Sequence, residues 1–123
     1  MTAKATVLVV DDDSDIRESL KDVLSDEGYR VACASDGLEA IEYLRSHDRP
    51  GLILLDWMMP NCNGACFRVK QRQHPALAGI PVVLLTADAR VQTKMAEVDA
   101  LDYVPKPVRL ETLLAVIDRH ARP

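Results

Sequence analysis

Short apolar segments alternate with amphipathic segments along the chain, and this alternation limits the folds that the sequence can adopt. The segments rich in aliphatic and β-branched residues predict strands at 6–10, 29–34, 52–55, 80–85 and 102–105. Each is followed by a stretch with apolar residues at helical spacing, namely 14–27, 36–46, 64–73, 88–98 and 109–120. Five strand–helix units predict an α/β fold, with a parallel sheet and helices on both faces.

The polarity of the strands indicates their order in the sheet. The first, third and fourth strands are apolar throughout, which is typical of central parallel strands covered on both faces. Arg30 and Ser35 flank the second strand, and the fifth is short and contains Pro105, so both are expected at edges. The predicted order 2-1-3-4-5 is flavodoxin-like and doubly wound, and ligands bind such sheets at the carboxyl ends of the strands. The 123 residues are expected to form a single domain, 1–123.

Composition and charge exclude several classes of function. The net charge is −4 and the pI is near 5.3, unlike a general nucleic-acid coat, so no direct nucleic-acid binding is expected. No apolar segment approaches the length of a membrane span, and the N-terminus does not resemble a secretory signal. We therefore expect a cytoplasmic protein that does not bind membranes. In that compartment Cys33, Cys62 and Cys66 are predicted to be reduced thiols, too few and too poorly spaced for zinc.

Complementary polar residues follow four of the five predicted strands. Three acids, Asp11, Asp12 and Asp13, follow the first strand, and Asp56 ends the third. Carboxylates that are crowded together raise one another's pKa unless a cation intervenes, and oxygen ligands in an open site suit Mg²⁺. Thr86 after the fourth strand and Lys106 after the fifth add a hydroxyl donor and an ammonium group.

This combination predicts a site for a phosphoryl group, in which a carboxylate can act as the nucleophile and form an acyl phosphate. The third strand would then end on Asp56 because the phosphoryl group is transferred there. Each residue alone has a simpler explanation: Asp13 or Ser14 can cap the first helix, and Asp88 can cap the fourth. The joint pattern over four strand ends favours the phosphoryl site.

Four segments, in order over almost the whole chain, resemble the receiver domain of bacterial response regulators. They are VLVVDDD (7–13), LILLDWMMP (52–60) with Gly64 shortly after, VVLLTADA (82–89) and DYVPKP (102–107). The resemblance implies that Asp56 is the phosphoacceptor and that Asp12 binds Mg²⁺ directly, with Asp11 acting directly or through water. It also implies that the backbone carbonyl of Met58 completes the protein ligands of the ion, for which Mn²⁺ can substitute.

The same resemblance implies roles for the other strand ends. Lys106 would pair with Asp56 and then with the phosphoryl oxygens, and Thr86 would close on the phosphoryl group after transfer. Tyr103 would be the aromatic switch, although a strand tyrosine is more often a simple packing residue. The peptide bond between Lys106 and Pro107 is expected to be cis.

The chain departs from the family pattern at positions outside this chemistry. A glycine is usual at Asp99, a phenylalanine often stands at Val108, and an aspartate is common at Asn63. Met58 and Asp88, two residues after Asp56 and Thr86, are predicted to flank the path of an attacking water and to tune the lifetime of the phosphorylated state. Two further expectations are a semi-exposed Trp57 and a solvated basic patch at Arg68, Lys70 and Arg72.

The resemblance implies a signalling module that accepts a phosphoryl group from the phosphohistidine of a sensor histidine kinase or a histidine phosphotransfer protein. It would catalyse its own phosphorylation and dephosphorylation only, and so would not be an enzyme with a separate substrate. Its output would be a change in the surface formed by helix 4, strand 5 and helix 5, which contacts a downstream partner or output domain.

Two alternatives remain. A phosphatase of the haloacid dehalogenase type would use Asp11 as the nucleophile and turn over phosphate esters. Asp15 breaks its Asp-x-Asp-x-Thr/Val motif, and the chain is short for the usual cap. A receiver that serves only as a scaffold is the other alternative, although here every site position is filled.

Overall fold

Strands and helices alternate through the computed structural model, which describes residues 5–87 and 90–121, without the side chains of Val91 and Gln92. The strands are β1 Thr6–Val10, β2 Arg30–Ala34, β3 Leu52–Asp56, β4 Val82–Thr86 and β5 Asp102–Pro105. The helices of two or more turns are α1 Ser14–Asp26, α2 Gly37–Ser46, α3 Gly64–Arg72, α4 Val91–Val98 and α5 Leu110–His120.

The strands form one parallel sheet in the order β2-β1-β3-β4-β5, which confirms the predicted topology. Val10 on β1 lies opposite Leu55 on β3, and Thr86 on β4 lies opposite Pro105 on β5. The carboxyl ends of the four strands are therefore level with one another. The polar residues that follow these strands meet at a single edge of the sheet.

Two apolar layers cover the sheet. The first contains the inner faces of α2, α3 and α4, and the second contains those of α1 and α5. Successive side chains of a strand point to opposite faces, so Ile53 and Leu55 pack in the first layer and Leu52 and Leu54 in the second. This explains why every residue of β3 and β4 is buried, and why both strands are apolar without alternation.

The connection from α3 to β4 contains a helical turn that the sequence analysis did not predict. Pro75 begins this turn, Pro75–Ala78. Proline suits the first position of a helix because the amide hydrogen that it lacks would have no helical partner there.

Arg68 also differs from its prediction, because it is buried rather than part of a solvated patch. Its Nε donates to the carbonyl of Val98 at 2.6 Å, and Nη1 donates to Oε1 of Gln71 at 2.7 Å. Gln71 in turn donates to the carbonyl of Leu77 at 2.8 Å. Arg68 of α3 thus caps the C-terminal end of α4, where Asp99 adopts the left-handed conformation with φ 53°. Glycine adopts this conformation more readily, in line with its usual presence at this position.

The close approach of α2 to the segment before α3 leads to a prediction about Gly37. A Cβ added there would lie 2.8 Å from Sγ and 2.9 Å from the carbonyl oxygen of Cys62. Alanine normally favours a helix over glycine, yet we expect Gly37→Ala to lower the free energy of unfolding by about 2 kcal/mol because the backbone must shift. Urea denaturation would measure this effect.

Gly79→Ala provides the matched control. The added Cβ would meet only the end of the flexible Arg49 side chain, at 3.3 Å. We expect this variant to unfold at nearly the same urea concentration as the wild type. Equal stabilities of the two variants would contradict the steric argument.

Candidate functional site

The carboxyl ends of β1, β3, β4 and β5 surround an open cleft of about 580 Å³. The strands bring the sequence-predicted residues to it because their ends are level in the sheet. The cleft is lined by Asp11, Asp12, Asp13, Ile16, Asp56, Trp57, Met58, Thr86, Ala87, Lys94 and Lys106.

Lys106 joins the two buried carboxylates of the cleft. Its Nζ donates to Oδ2 of Asp11 at 3.0 Å and to Oδ1 of Asp56 at 3.2 Å. The other oxygen of Asp11 accepts the backbone amide of Asp13 at 3.0 Å. Asp11 is fully buried and Asp56 is 5% exposed, so both side chains would be costly to bury without such partners.

Burial, together with the charges in the cleft, raises the pKa of Asp56 from its ordinary 3.8 to about 6. Burial is the largest cause, and the negative charge of Asp11 acts in the same direction, while Lys106 opposes both. Burial lowers the pKa of Lys106, but its bonds with Asp11 and Asp56 outweigh that effect and raise the pKa overall. One ammonium group therefore does not fully offset the acids.

The acids of the cleft fit a small, hard cation. Carboxylate oxygens of Asp11, Asp12 and Asp56 lie within 4.8 Å of one another, and Asp12 is exposed while the other two are buried. A set of oxygen donors with one open side leaves room for coordinated water, as Mg²⁺ requires. The raised pKa of Asp56 is consistent with this fit, because a carboxylate whose charge is only partly offset by its neighbours is stabilised when a cation binds.

The remaining site residues occupy different positions around the cleft. Thr86 is buried at the end of β4 and lines the cleft, and its carbonyl accepts the backbone amide of Lys106 at 2.9 Å. Met58 is 73% exposed at the rim.

Tyr103 is half-buried and lines a separate groove between β5 and α5, outside the cleft. The Lys106–Pro107 peptide bond is cis, and Asp88 lies outside the described residues.

Three features of the cleft differ from the sequence analysis or were missed by it. Trp57 is buried rather than semi-exposed, and Nζ of Lys94 lies 4.4 Å from the centre of its ring. Lys94 was not identified, because a single lysine on an amphipathic helix carries no distinctive signal. Arg17 was missed for the same reason, although its Nη1 donates to the carbonyl of Asp11 at 2.7 Å.

The cysteines also differ from the prediction of reduced thiols. Cys62 and Cys66 form a disulfide with 5.2 Å between their Cα atoms, and Cys33 is free. A spacing of four residues was assessed only as a poor zinc motif. It also suits a disulfide when the first cysteine stands just before a helix and the second lies in its first turn, as here.

Comparison with known proteins identifies the family. The model of the response regulator receiver domain family matches residues 7–118. The chain belongs to this family. A receiver domain is a signalling domain of a two-component system rather than a classical enzyme. Among the described residues of this receiver domain, no helix has the length and apolar character needed to cross a membrane.

Curated relatives and solved structures agree with this assignment. The response regulator MprA of Mycobacterium ulcerans is 45% identical over 111 residues, which are 89% of this chain and 47% of that protein. MprA of Mycobacterium leprae is 43% identical over 113 residues, or 90% of this chain and 48% of that protein. The receiver domain therefore spans about half the length of these relatives.

The structural neighbours include chains of similar length. The chemotaxis protein CheY4 of Vibrio cholerae has a TM-score of 0.88 and 32% identity, covering 96% of this chain and 99% of that one. The receiver domain of a signal transduction histidine kinase from Syntrophus aciditrophicus has a TM-score of 0.83 and 32% identity, covering 94% of this chain and 88% of that one.

Proposed function

We propose that Asp56 accepts a phosphoryl group from the phosphohistidine of a sensor histidine kinase or a histidine phosphotransfer protein, in a reaction that depends on Mg²⁺. The observation that carries this proposal is the position of the buried Asp56 carboxylate, 3.2 Å from the Lys106 ammonium and beside two further acids. An open cleft in front of this carboxylate supports access by a phosphorylated partner.

The proposed reaction is a nucleophilic displacement at phosphorus. An oxygen of the ionised Asp56 carboxylate forms a bond to phosphorus, and the bond between phosphorus and the donor imidazole nitrogen breaks. The imidazole leaves with the electron pair of that bond and takes up a proton. Lys106 and Thr86 both line the cleft, and their ammonium and hydroxyl groups would donate to the phosphoryl oxygens, where negative charge accumulates. With a pKa of about 6, Asp56 is mostly ionised at neutral pH.

Asp11, Asp12 and Asp56 would hold the ion, together with the backbone carbonyl of Met58. When bound, Mg²⁺ or Mn²⁺ would offset the charge of these acids and stabilise the phosphoryl oxygens. The alternative with Asp11 as the nucleophile has less support, because Asp11 is fully buried and its two oxygens already accept hydrogen bonds from Lys106 and Asp13.

Phosphorylation would change the surface formed by α4, β5 and α5. A phosphoryl group adds a charge of about −1.5 to −2, which attracts Thr86 on β4 and Lys106 after β5. The segment between them includes α4 and Tyr103, so a shift at these two residues biases that surface towards a second state. A downstream partner or an output domain would recognise the change, without direct contact of this domain with nucleic acid or membrane.

Intact-mass spectrometry after incubation with acetyl phosphate tests the proposed reaction. We expect one phosphoryl adduct in the presence of Mg²⁺ and none when EDTA removes the ion. The adduct should be labile at alkaline pH, as an acyl phosphate is. An adduct that forms equally well with EDTA, or none at any Mg²⁺ concentration, would contradict the proposal.

Met58 leads to a prediction about the lifetime of the phosphorylated state. Its side chain is 73% exposed at the rim of the cleft, where it can obstruct a water that approaches the phosphoryl group. We expect Met58→Asn to speed dephosphorylation several-fold, because the shorter amide admits and can orient that water. The decay of the adduct, followed by mass after removal of acetyl phosphate, measures this rate. Val69→Asn, at an exposed apolar residue of α3 that does not line the cleft, should leave the decay unchanged.

A further inference from the structure

The disulfide between Cys62 and Cys66 ties the segment after the proposed phosphoacceptor to the first turn of α3, and the proposed function makes no use of it. We propose that these residues form a reversible thiol–disulfide pair, oxidised by a low-molecular-weight disulfide, whose state sets the backbone position at Asp56 and Trp57 and thereby the rate of phosphoryl uptake. The last part of this proposal rests on the function proposed for Asp56.

The ring closed by the disulfide is in direct contact with the backbone of the site. Gly64 lies between the two cysteines, and its amide donates to the carbonyl of Trp57 at 3.0 Å. A Cβ added to Gly64 would lie 3.3 Å from Cα of Trp57 and 3.4 Å from the carbonyl oxygen of Asp56. The ring therefore packs against the strand end, on its backbone and on the Trp57 ring, so the freedom of the ring would affect how firmly this backbone is held.

The two sulfurs differ in their environment in a way that suits reversible chemistry. Cys62 is 1% exposed, and its carbonyl accepts the amide of Gly37 at 3.2 Å, which anchors it against α2. Cys66 is only half-buried and lies in the first turn of α3. Cys66 is therefore the more accessible of the two cysteines to a reagent in solution.

The oxidation is balanced as two thiol–disulfide exchanges. The Cys66 thiolate attacks a sulfur of glutathione disulfide, and one glutathione thiolate leaves as the mixed disulfide forms. The Cys62 thiol loses its proton and attacks the Cys66 sulfur, the bond between Cys66 and glutathione breaks, and the second glutathione leaves. Both glutathione thiolates take up the protons lost by the cysteines. The protein loses two electrons, which reduce one glutathione disulfide to two thiols, and a dithiol reductant reverses the sequence.

The experiment compares the oxidised and reduced wild-type protein, so it needs no substitution that could impair folding. The protein is equilibrated with glutathione disulfide or with dithiothreitol and is then denatured, and the free thiols are alkylated and located by peptide mass. We expect alkylation of Cys33 alone after oxidation and of all three cysteines after reduction. Deuterium exchange of the amides at 56–64 should be faster in the reduced protein.

Phosphoryl uptake from acetyl phosphate is then measured in both states. We expect uptake to be about fivefold slower after reduction, at the lower end of typical coupling between sites because the ring is short. Cys33→Ser should respond as the wild type does, since it retains the pair. Cys66→Ser should behave as the reduced protein under both conditions.

Two results would overturn the proposal: alkylation of Cys62 and Cys66 after oxidation, or a disulfide that forms without any effect on exchange at 56–64 and on uptake. An exchange response without phosphoryl uptake in either state would support the redox coupling and refute the phosphoryl-transfer function.

Discussion

Replacement of Asp56 by asparagine is expected to abolish the phosphoryl adduct and, in the absence of Mg²⁺, to make the fold more stable. The adduct should disappear because an amide oxygen is a poor nucleophile and cannot form an acyl phosphate. The fold should gain stability because burial and the charge of Asp11 oppose ionisation of Asp56 and raise its pKa to about 6. Lys106 keeps its bond to Asp11 in the variant.

The pH dependence of this gain follows from the direction of the shift. Because the folded-state pKa of Asp56 is raised above the ordinary 3.8, its contribution to stability is fully present below about pH 4 and is lost as pH rises through about 6. Asparagine is neutral at every pH, so the variant keeps this stability as the pH rises. We therefore expect the variant to exceed the wild type by about 1–2 kcal/mol at pH 8, and by much less at pH 4.

Urea denaturation at several pH values with EDTA measures the stability, and intact mass measures the adduct. Asp13→Asn is the matched control, because it removes one negative charge beside the cleft while asparagine can still cap α1. This control should keep the adduct and lack the gain in stability. An adduct on Asp56→Asn would mean that the nucleophile is elsewhere, and a less stable variant would mean that Lys106 needs the Asp56 charge.

Replacement of Arg68 by methionine is expected to destabilise the fold by about 3 kcal/mol, because buried acceptors lose their donors. The carbonyl of Val98 and Oε1 of Gln71 accept from Arg68 at 2.6 and 2.7 Å, in surroundings where Gln71 is fully buried. Methionine fills a similar volume and so separates the lost hydrogen bonds from a cavity. Arg68→Lys should cost less than methionine but should not restore wild-type stability, since an ammonium group cannot reproduce the guanidinium fork.

Urea denaturation provides the measurement, and deuterium exchange shows where the effect lies. We expect faster exchange in α4, whose C-terminal end Arg68 holds. Arg72→Met is the control on the same helix: its side chain is 47% exposed and pairs with the exposed Asp99 carboxylate at 3.4 Å, so its loss should cost less than about 1 kcal/mol. Equal effects of the two methionine variants would exclude the buried network as the cause.

Sequence reasoning predicted the sheet because the burial of a strand is reflected in the polarity of its own residues. The uninterrupted apolar run 52–55 is typical of a strand that is covered on both faces. A proline such as Pro105 is tolerated in a sheet mainly near its edge. The same reasoning predicted that Asp56 would meet the acids that follow β1, because the carboxyl ends of the neighbouring strands β1 and β3 must lie together. The pairing of Lys106 with Asp56 was implied by the family resemblance instead.

The features that were missed depend on partners distant in sequence. The burial of Arg68 requires the carbonyl of Val98, thirty positions away, and no local pattern distinguishes it from a solvated arginine. Trp57 is enclosed by packing in the α2–α3–α4 layer, which its neighbours in sequence do not reveal. The bond between Cys62 and Cys66 depends on how the residues just before α3 are placed against its first turn, whereas the expected cytoplasmic compartment favoured reduced thiols.

The placement of α4 and α5 in separate apolar layers has a consequence for recognition. Val98 of α4 packs on one face of the sheet, Leu113 and Ile117 of α5 pack on the other, and β5 forms the edge between them. A partner that contacts both helices across this edge would bind two groups of residues that pack on opposite faces of the sheet. It would therefore respond to a displacement of one group relative to the other. Its affinity would then depend on the position of α4 relative to α5, and not on the position of either helix alone.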